Sequence, residues 1–134
     1  MSIARVLVAD SSLLVRDRLI AALLDGLGKA HIEGAWSHDE AIERHDSFAP
    51  HVILLDVRLS PGLLADLVSR PARPGAAQSR IVVLASDWAS YASHCLAAGA
   101  VDVIDRSDSD SVVHAVKAAL HNRPCPPRAK LPLR

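Results

Sequence analysis

Val52-Ile-Leu-Leu55 is an uninterrupted apolar run that ends on one carboxylate, Asp56, and reaches the breaker Ser60-Pro61-Gly62 soon after. A strand with no polar alternation has to be covered on both faces. That requirement constrains the chain more than any other feature, because sheets buried on both faces are parallel sheets with helices on either side. An acid directly behind such a strand stands at the carboxyl edge of the sheet, where open α/β folds gather their ligands.

The other segments fit the same plan. Ile3 to Ala9 reads as a buried strand ending at Asp10-Ser11-Ser12, whose hydroxyls can cap a helix. Leu19, Ile20, Leu23, Leu24 and Leu27 give that helix one broad apolar face, and Gly26 and Gly28 supply stop chemistry. His31 to Trp36 is a weaker, edge-ward strand, and Ser37 with Glu40 forms a capping box for a helix through about Ser47. After Asp56, Gly62 to Val68 can form a short helix before Pro71, Pro74 and Gly75 impose an irregular stretch. Arg80 to Ala85 is a fourth buried strand, followed by a helix with Ala89, Ala92 and Leu96 on one face and Gly99 at its end. Ala100 to Ile104 reads as a fifth strand, and Val112, Val113, Val116 and Leu120 mark the inner face of a last helix. Five strands alternating with helices predict a doubly wound five-stranded parallel sheet in one domain, residues 1–122. A proline-rich basic tail or linker stub is expected over 123–134.

Composition removes several functions. Fifteen basic and fifteen acidic residues cancel, which argues against a broad nucleic-acid or anionic-membrane surface. Aromatic residues are too scarce for base-stacking platforms. No apolar run approaches the ~18 residues that a membrane span needs. The strand that begins almost at residue 1 leaves no room for a signal peptide, and Cys95 and Cys125 suit a reducing cytoplasm. His45 belongs on the inner face of its helix as a packed histidine, and Cys95 fills a gap between helix and sheet.

The predicted topology collects Asp10, Asp56, Ser86 or Asp87, and Arg106 at one edge. A carboxylate can accept a phosphoryl group, and the transfer depends mainly on charge neutralisation. Asp10, Asp56 and the backbone carbonyl of Arg58 are donors of the kind Mg²⁺ takes, and Arg106 has a fork that matches phosphate or carboxylate. The plainer alternatives are Asp56 as a turn residue, Asp10 as a helix cap and Arg106 as a surface cation. A Mg²⁺-dependent hydrolase with an aspartyl nucleophile is disfavoured, because Val57 and Arg58 follow Asp56 where a second acid would be needed.

Val6-Leu-Val-Ala-Asp10-Ser-Ser, Val52-Ile-Leu-Leu-Asp56-Val-Arg-Leu, Ile81-Val-Val-Leu and Cys95-Leu-Ala-Ala-Gly-Ala100, in that order and spacing, make the chain resemble the receiver domains of bacterial response regulators. The resemblance covers roughly residues 3 to 121 and is nearest to receivers that precede a helix-turn-helix output. It implies strand order 2-1-3-4-5, and a phosphoryl group taken by Asp56 from a histidine kinase or phosphotransfer protein. It also implies dimerisation or effector docking through the fourth helix, fifth strand and fifth helix. That surface is expected to be rich in alanine: Ala89, Ala92, Ala97, Ala98, Ala115, Ala118 and Ala119. Such a domain is no enzyme and does not itself bind nucleic acid.

The chain departs from the family pattern at four positions. Ser11 stands where a second acid is usual, which should weaken Mg²⁺ binding. Ala85 stands where the family has a phosphate-binding hydroxyl, with Ser86 one place late. Arg106 replaces a lysine and can pair with Asp56 through both nitrogens. Val103 replaces the aromatic switch residue. The expectation is therefore a receiver with weakened transfer to Asp56, or else a docking module that works without phosphate.

Overall fold

The computed structural model describes residues 3–121. The tail expected over 123–134, with Cys125, lies outside the described residues. Ten elements alternate along the chain: β1 (Ala4–Ala9), α1 (Leu13–Leu27), β2 (Ala30–Ala35), α2 (His38–Phe48), β3 (Val52–Asp56), α3 (Leu63–Ser69), β4 (Arg80–Ala85), α4 (Trp88–Ala97), β5 (Asp102–Asp105) and α5 (Ser109–Leu120). Every strand pair is parallel and the order is β2-β1-β3-β4-β5, as expected.

Alternate residues of the strands feed two cores. On one face Leu7, Ile53, Ile81 and Val83 pack with Ala41 of α2, Leu63 and Leu67 of α3, and Ala92 and Cys95 of α4. On the other, Val6, Val8, Val52, Leu54, Val82 and Leu84 pack with Leu19 and Leu23 of α1 and with Val112, Ala115, Val116 and Ala119 of α5. All five residues of β3 are buried. Each fully buried aliphatic side chain there is worth roughly 1.5–3 kcal/mol over exposure, which explains why this strand tolerates no polar alternation.

The helix termini form as their sequences suggest. Ser12 Oγ accepts from the Val15 N–H, and Ser37 Oγ accepts from the Glu40 N–H. Glu40 returns a carboxylate to the Trp36 N–H, one residue earlier than a strict capping box. His45 is buried, with Nδ1 2.9 Å from Asp46 Oδ1, and Cys95 is buried between α4 and the sheet.

Four expectations need correction. Leu24 is 46% exposed, because it sits about 100° round the helix from Leu23 while Leu19 and Leu23 form the buried stripe. For the same reason the inner face of α4 is Trp88, Ala92 and Cys95, leaving Ala89 and Leu96 outside. Strand β5 starts at Asp102, later than Ala100. Gly26 is not a stop signal but lies within α1, where an added Cβ would come 2.5 Å from Val113 Cγ1. The glycine is there so that α1 and α5 can approach. Gly28, at φ 73°, is the actual C-cap.

Candidate functional site

Register places the acids side by side. Ala9 pairs with Leu55, so Asp10 and Asp56 leave adjacent strands at the same height. Ala85 pairs with Asp105, which brings Arg106 up beside them, and the Arg106 N–H donates to the Ala85 carbonyl. Asp10 and Asp56 are 1% and 3% exposed. The Arg106 guanidinium reaches across both: Nη2 lies 3.3 Å from Asp10 Oδ2, and Nη1 lies 3.6 Å from Asp56 Oδ2.

Each carboxylate is also held by its own loop. Asp10 Oδ1 accepts from the Ser12 N–H at 2.9 Å, and Asp56 Oδ1 accepts from the Arg58 N–H at 3.0 Å. Burial pushes the Asp10 carboxyl above the ordinary aspartate range and the neighbouring Asp56 charge adds to the rise, while the Ser12 N–H, Arg106 and Arg16 oppose it. Two acids so close and so shielded require a cation. Arg106 supplies one.

The site residues expected from the sequence divide in two. Asp10, Asp56 and Arg106 converge, with the Arg58 loop closing over Asp56. Ser86 is exposed at the end of β4 and makes no hydrogen bond to Asp56, Asp10 or Arg106. Ala85 and Val103 are both buried in the core, so neither position offers a hydroxyl or a ring that could swing outward. Ser11 is exposed beside Asp10. Among the described residues, no group of three or more His, Cys, Asp or Glu side chains could hold a metal ion. Asp10, Asp56 and the Arg58 carbonyl remain hard oxygen donors of the type Mg²⁺ takes, but only two of them carry charge and Arg106 already engages both.

Two features escaped the sequence reading. Arg16 Nη1 donates to the Asp10 backbone carbonyl at 3.0 Å, and its guanidinium carbon lies 5.3 Å from the centre of the Trp36 ring. The turn that carries Asp10 is thereby tied to the end of β2. On the other side, His38 Nδ1 is 2.7 Å from Ser60 Oγ and Nε2 is 3.0 Å from Asp66 Oδ2, joining α2 to the loop after Asp56 and to α3. Both ties link residues far apart in sequence, which no local pattern discloses.

The alanine-rich docking face needs correction. Ala92, Ala115 and Ala119 are each 3% exposed and belong to the cores, since small residues are what let α4 and α5 lie close to the sheet. The exposed large apolar groups on α4 are Tyr91 and Leu96. No helix among the described residues is long and apolar enough to cross a membrane.

No family model matches the chain. Its fold matches the two-component response regulator of the LuxR family from Aurantimonas sp. SI85-9A1, with a TM-score of 0.78 at 23% identity, over 98% of this chain and 91% of that one. It also matches the signal receiver domain of the response regulator NarL from Mycobacterium tuberculosis, with a TM-score of 0.75 at 23% identity, over 92% of this chain and 100% of that one. A curated relative, the protein-glutamate methylesterase/protein-glutamine glutaminase 5 of Anaeromyxobacter dehalogenans (strain 2CP-C), is 34% identical over 96% of this chain. The chain spans only 39% of that relative's length. The chain has the fold of response-regulator receiver domains.

Proposed function

We propose that this receiver-fold chain is a two-component signalling module in which Asp56 accepts a phosphoryl group, with transfer weakened relative to a full receiver site. The observation that carries the reading is the buried Asp10–Asp56 pair at the carboxyl edge of a 2-1-3-4-5 sheet, bridged by one guanidinium. The donor would be a phosphohistidine on a histidine kinase or phosphotransfer protein. A P–O bond to Asp56 forms as the P–N bond breaks, and the neutral imidazole leaves.

Each residue has a part to play. The Arg58 N–H fixes the Asp56 rotamer through Oδ1 and leaves Oδ2 as the nucleophilic oxygen. Arg106, already 3.6 Å from Oδ2, would neutralise the phosphoryl oxygens in place of a lysine, with a fork that can bind two of them. Asp10, Asp56 and the Arg58 carbonyl would hold Mg²⁺, which when bound neutralises charge on the transferred group. With Ser11 in place of an acid, and Arg106 competing for both carboxylates, that affinity is low. Ala85 removes one hydrogen bond to the phosphoryl group, a loss of roughly 1.5–3 kcal/mol unless Ser86 turns inward. The module acts by conformational signalling rather than as an enzyme, and a cytoplasmic setting fits the chemistry.

A second reading has its own support. Because Arg106 already bridges both acids and compensates one of the two charges with no phosphate or metal, the domain could dock constitutively through α4, β5 and α5, as a homodimer or on an effector. Incubation with acetyl phosphate and Mg²⁺, followed by intact mass measurement, separates the two. The phosphoacceptor reading predicts an acid-labile, hydroxylamine-sensitive gain of one phosphoryl group that vanishes in Asp56→Asn. No gain in the wild type at millimolar Mg²⁺ favours the docking module.

A further inference from the structure

At the amino end of the sheet, opposite the acid pair, a cleft of about 730 Å³ opens between the last residues of α1 and α5. That volume is within the range of small-molecule sites, roughly 300–1,000 Å³. Its apolar lining is Ile3, Ala4, Leu27 and Leu120, and Ile3 is 55% exposed although nothing about a strand start demands an exposed isoleucine. Among the described residues its polar lining is Lys29, His51, Lys117 and His121, with no acid. Among the described residues neither lysine has an ion-pair partner.

His51 lines the same cleft. Its Nδ1 accepts from the Arg5 N–H at 2.9 Å, so the neutral ring carries its proton on Nε2. Burial, with Arg5 nearby, lowers its pKa.

The electrostatics of the cleft also orient an occupant. The carboxyl ends of α1 and α5 both bear partial negative charge, which repels an anion placed deep between them. An anionic head is favoured only at the rim, against the two ammonium groups, while an apolar body fits inward against Leu27 and Leu120. We propose that this cleft binds a small organic anion with an apolar body, of the class of medium-chain carboxylates, its head between Lys29 and Lys117.

The test uses the full 134-residue chain, isotope-labelled and titrated with sodium octanoate, with amide shifts as the readout. The structure predicts saturable shifts centred on Ile3, Leu27, Lys29, Lys117 and Leu120, and little change near Asp56. The double variant Lys29→Glu/Lys117→Glu, two surface changes that leave both cores intact, should weaken octanoate at least about tenfold while leaving octanol unaffected. Octanol binding as tightly as octanoate, an unchanged affinity in the double variant, or no saturable shift would each overturn the proposal.

Discussion

Arg106 Nη2 lies 3.3 Å from Asp10 Oδ2, although ninety-six residues separate the two in the chain. The contact exists because parallel register carries the ends of β1, β3 and β5 to one edge, and it makes a side chain the counter-ion of two buried acids. Removing that cation leaves two uncompensated carboxylates. Arg106→Ala should therefore lose about 3 kcal/mol of stability by urea unfolding without metal, and millimolar Mg²⁺ should recover part of the loss in the variant but little in the wild type. Equal stability of the two proteins, or an equal response to Mg²⁺, would show that Arg106 is not the counter-ion.

The burial cost on Asp10 leads to a prediction of the opposite sign. A carboxyl whose pKa is raised on folding binds its proton more tightly in the folded state, so it opposes folding at neutral pH. That penalty fades as pH falls through the raised pKa and is gone well below the unfolded value of 3.8, where both states are protonated. Asp10→Asn should stabilise the domain on the order of 1 kcal/mol at pH 7, and by progressively less as the solution is acidified. Stabilisation that persists undiminished at acid pH would remove burial of charge as its cause.

The approach of α1 and α5 can be tested without touching the site. In an open helix, Gly26→Ala would gain up to about 1 kcal/mol from propensity. Here the new methyl meets Val113 at 2.5 Å, and overpacking of that kind costs about 1–3 kcal/mol, so the net effect should be destabilising. Val113→Ala in the same chain should restore most of the loss. Additive losses in the double variant would mean the two positions do not touch.

The tie through His38 is partly exposed, with side-chain exposures of 33% for His38 and 57% for Asp66, so its energy is small. His38→Ala should lower stability by about 0.5–1 kcal/mol, while amide exchange from Ser60 to Leu63 speeds up noticeably. If exchange in that loop is unchanged, His38 does not anchor it.

The fold was largely legible because strand runs such as Val52–Leu55 and capping signals such as Ser37 and Glu40 are local, and the alternation of strand and helix leaves few topologies. The acid pair followed from the topology. What could not be read was rotational and long-range. Leu24 and Leu96 are hydrophobic yet point outward, and Ala92, Ala115 and Ala119 are small because they are buried rather than because they form a surface. Arg16 on Trp36 and His38 on Ser60 depend on where separate elements meet. Arg106 was expected to pair with Asp56, but its shorter contact is with Asp10, a preference set by the guanidinium's position between two strands.

On the proposed reading Asp56 keeps its chemistry, and a missing acid at Ser11, with Arg106 competing for what remains, is what weakens it. Tryptophan fluorescence of the wild type and Ser11→Asp, titrated with Mg²⁺ in a Trp36→Phe background so that Trp88 reports alone, tests it most directly. Ser11→Asp should bind Mg²⁺ at least about tenfold more tightly and take a phosphoryl group on Asp56 from acetyl phosphate faster than the wild type. Unchanged Mg²⁺ affinity together with no phosphoryl uptake in Ser11→Asp would contradict it, and would leave Asp56 as a structural acid paired to Arg106.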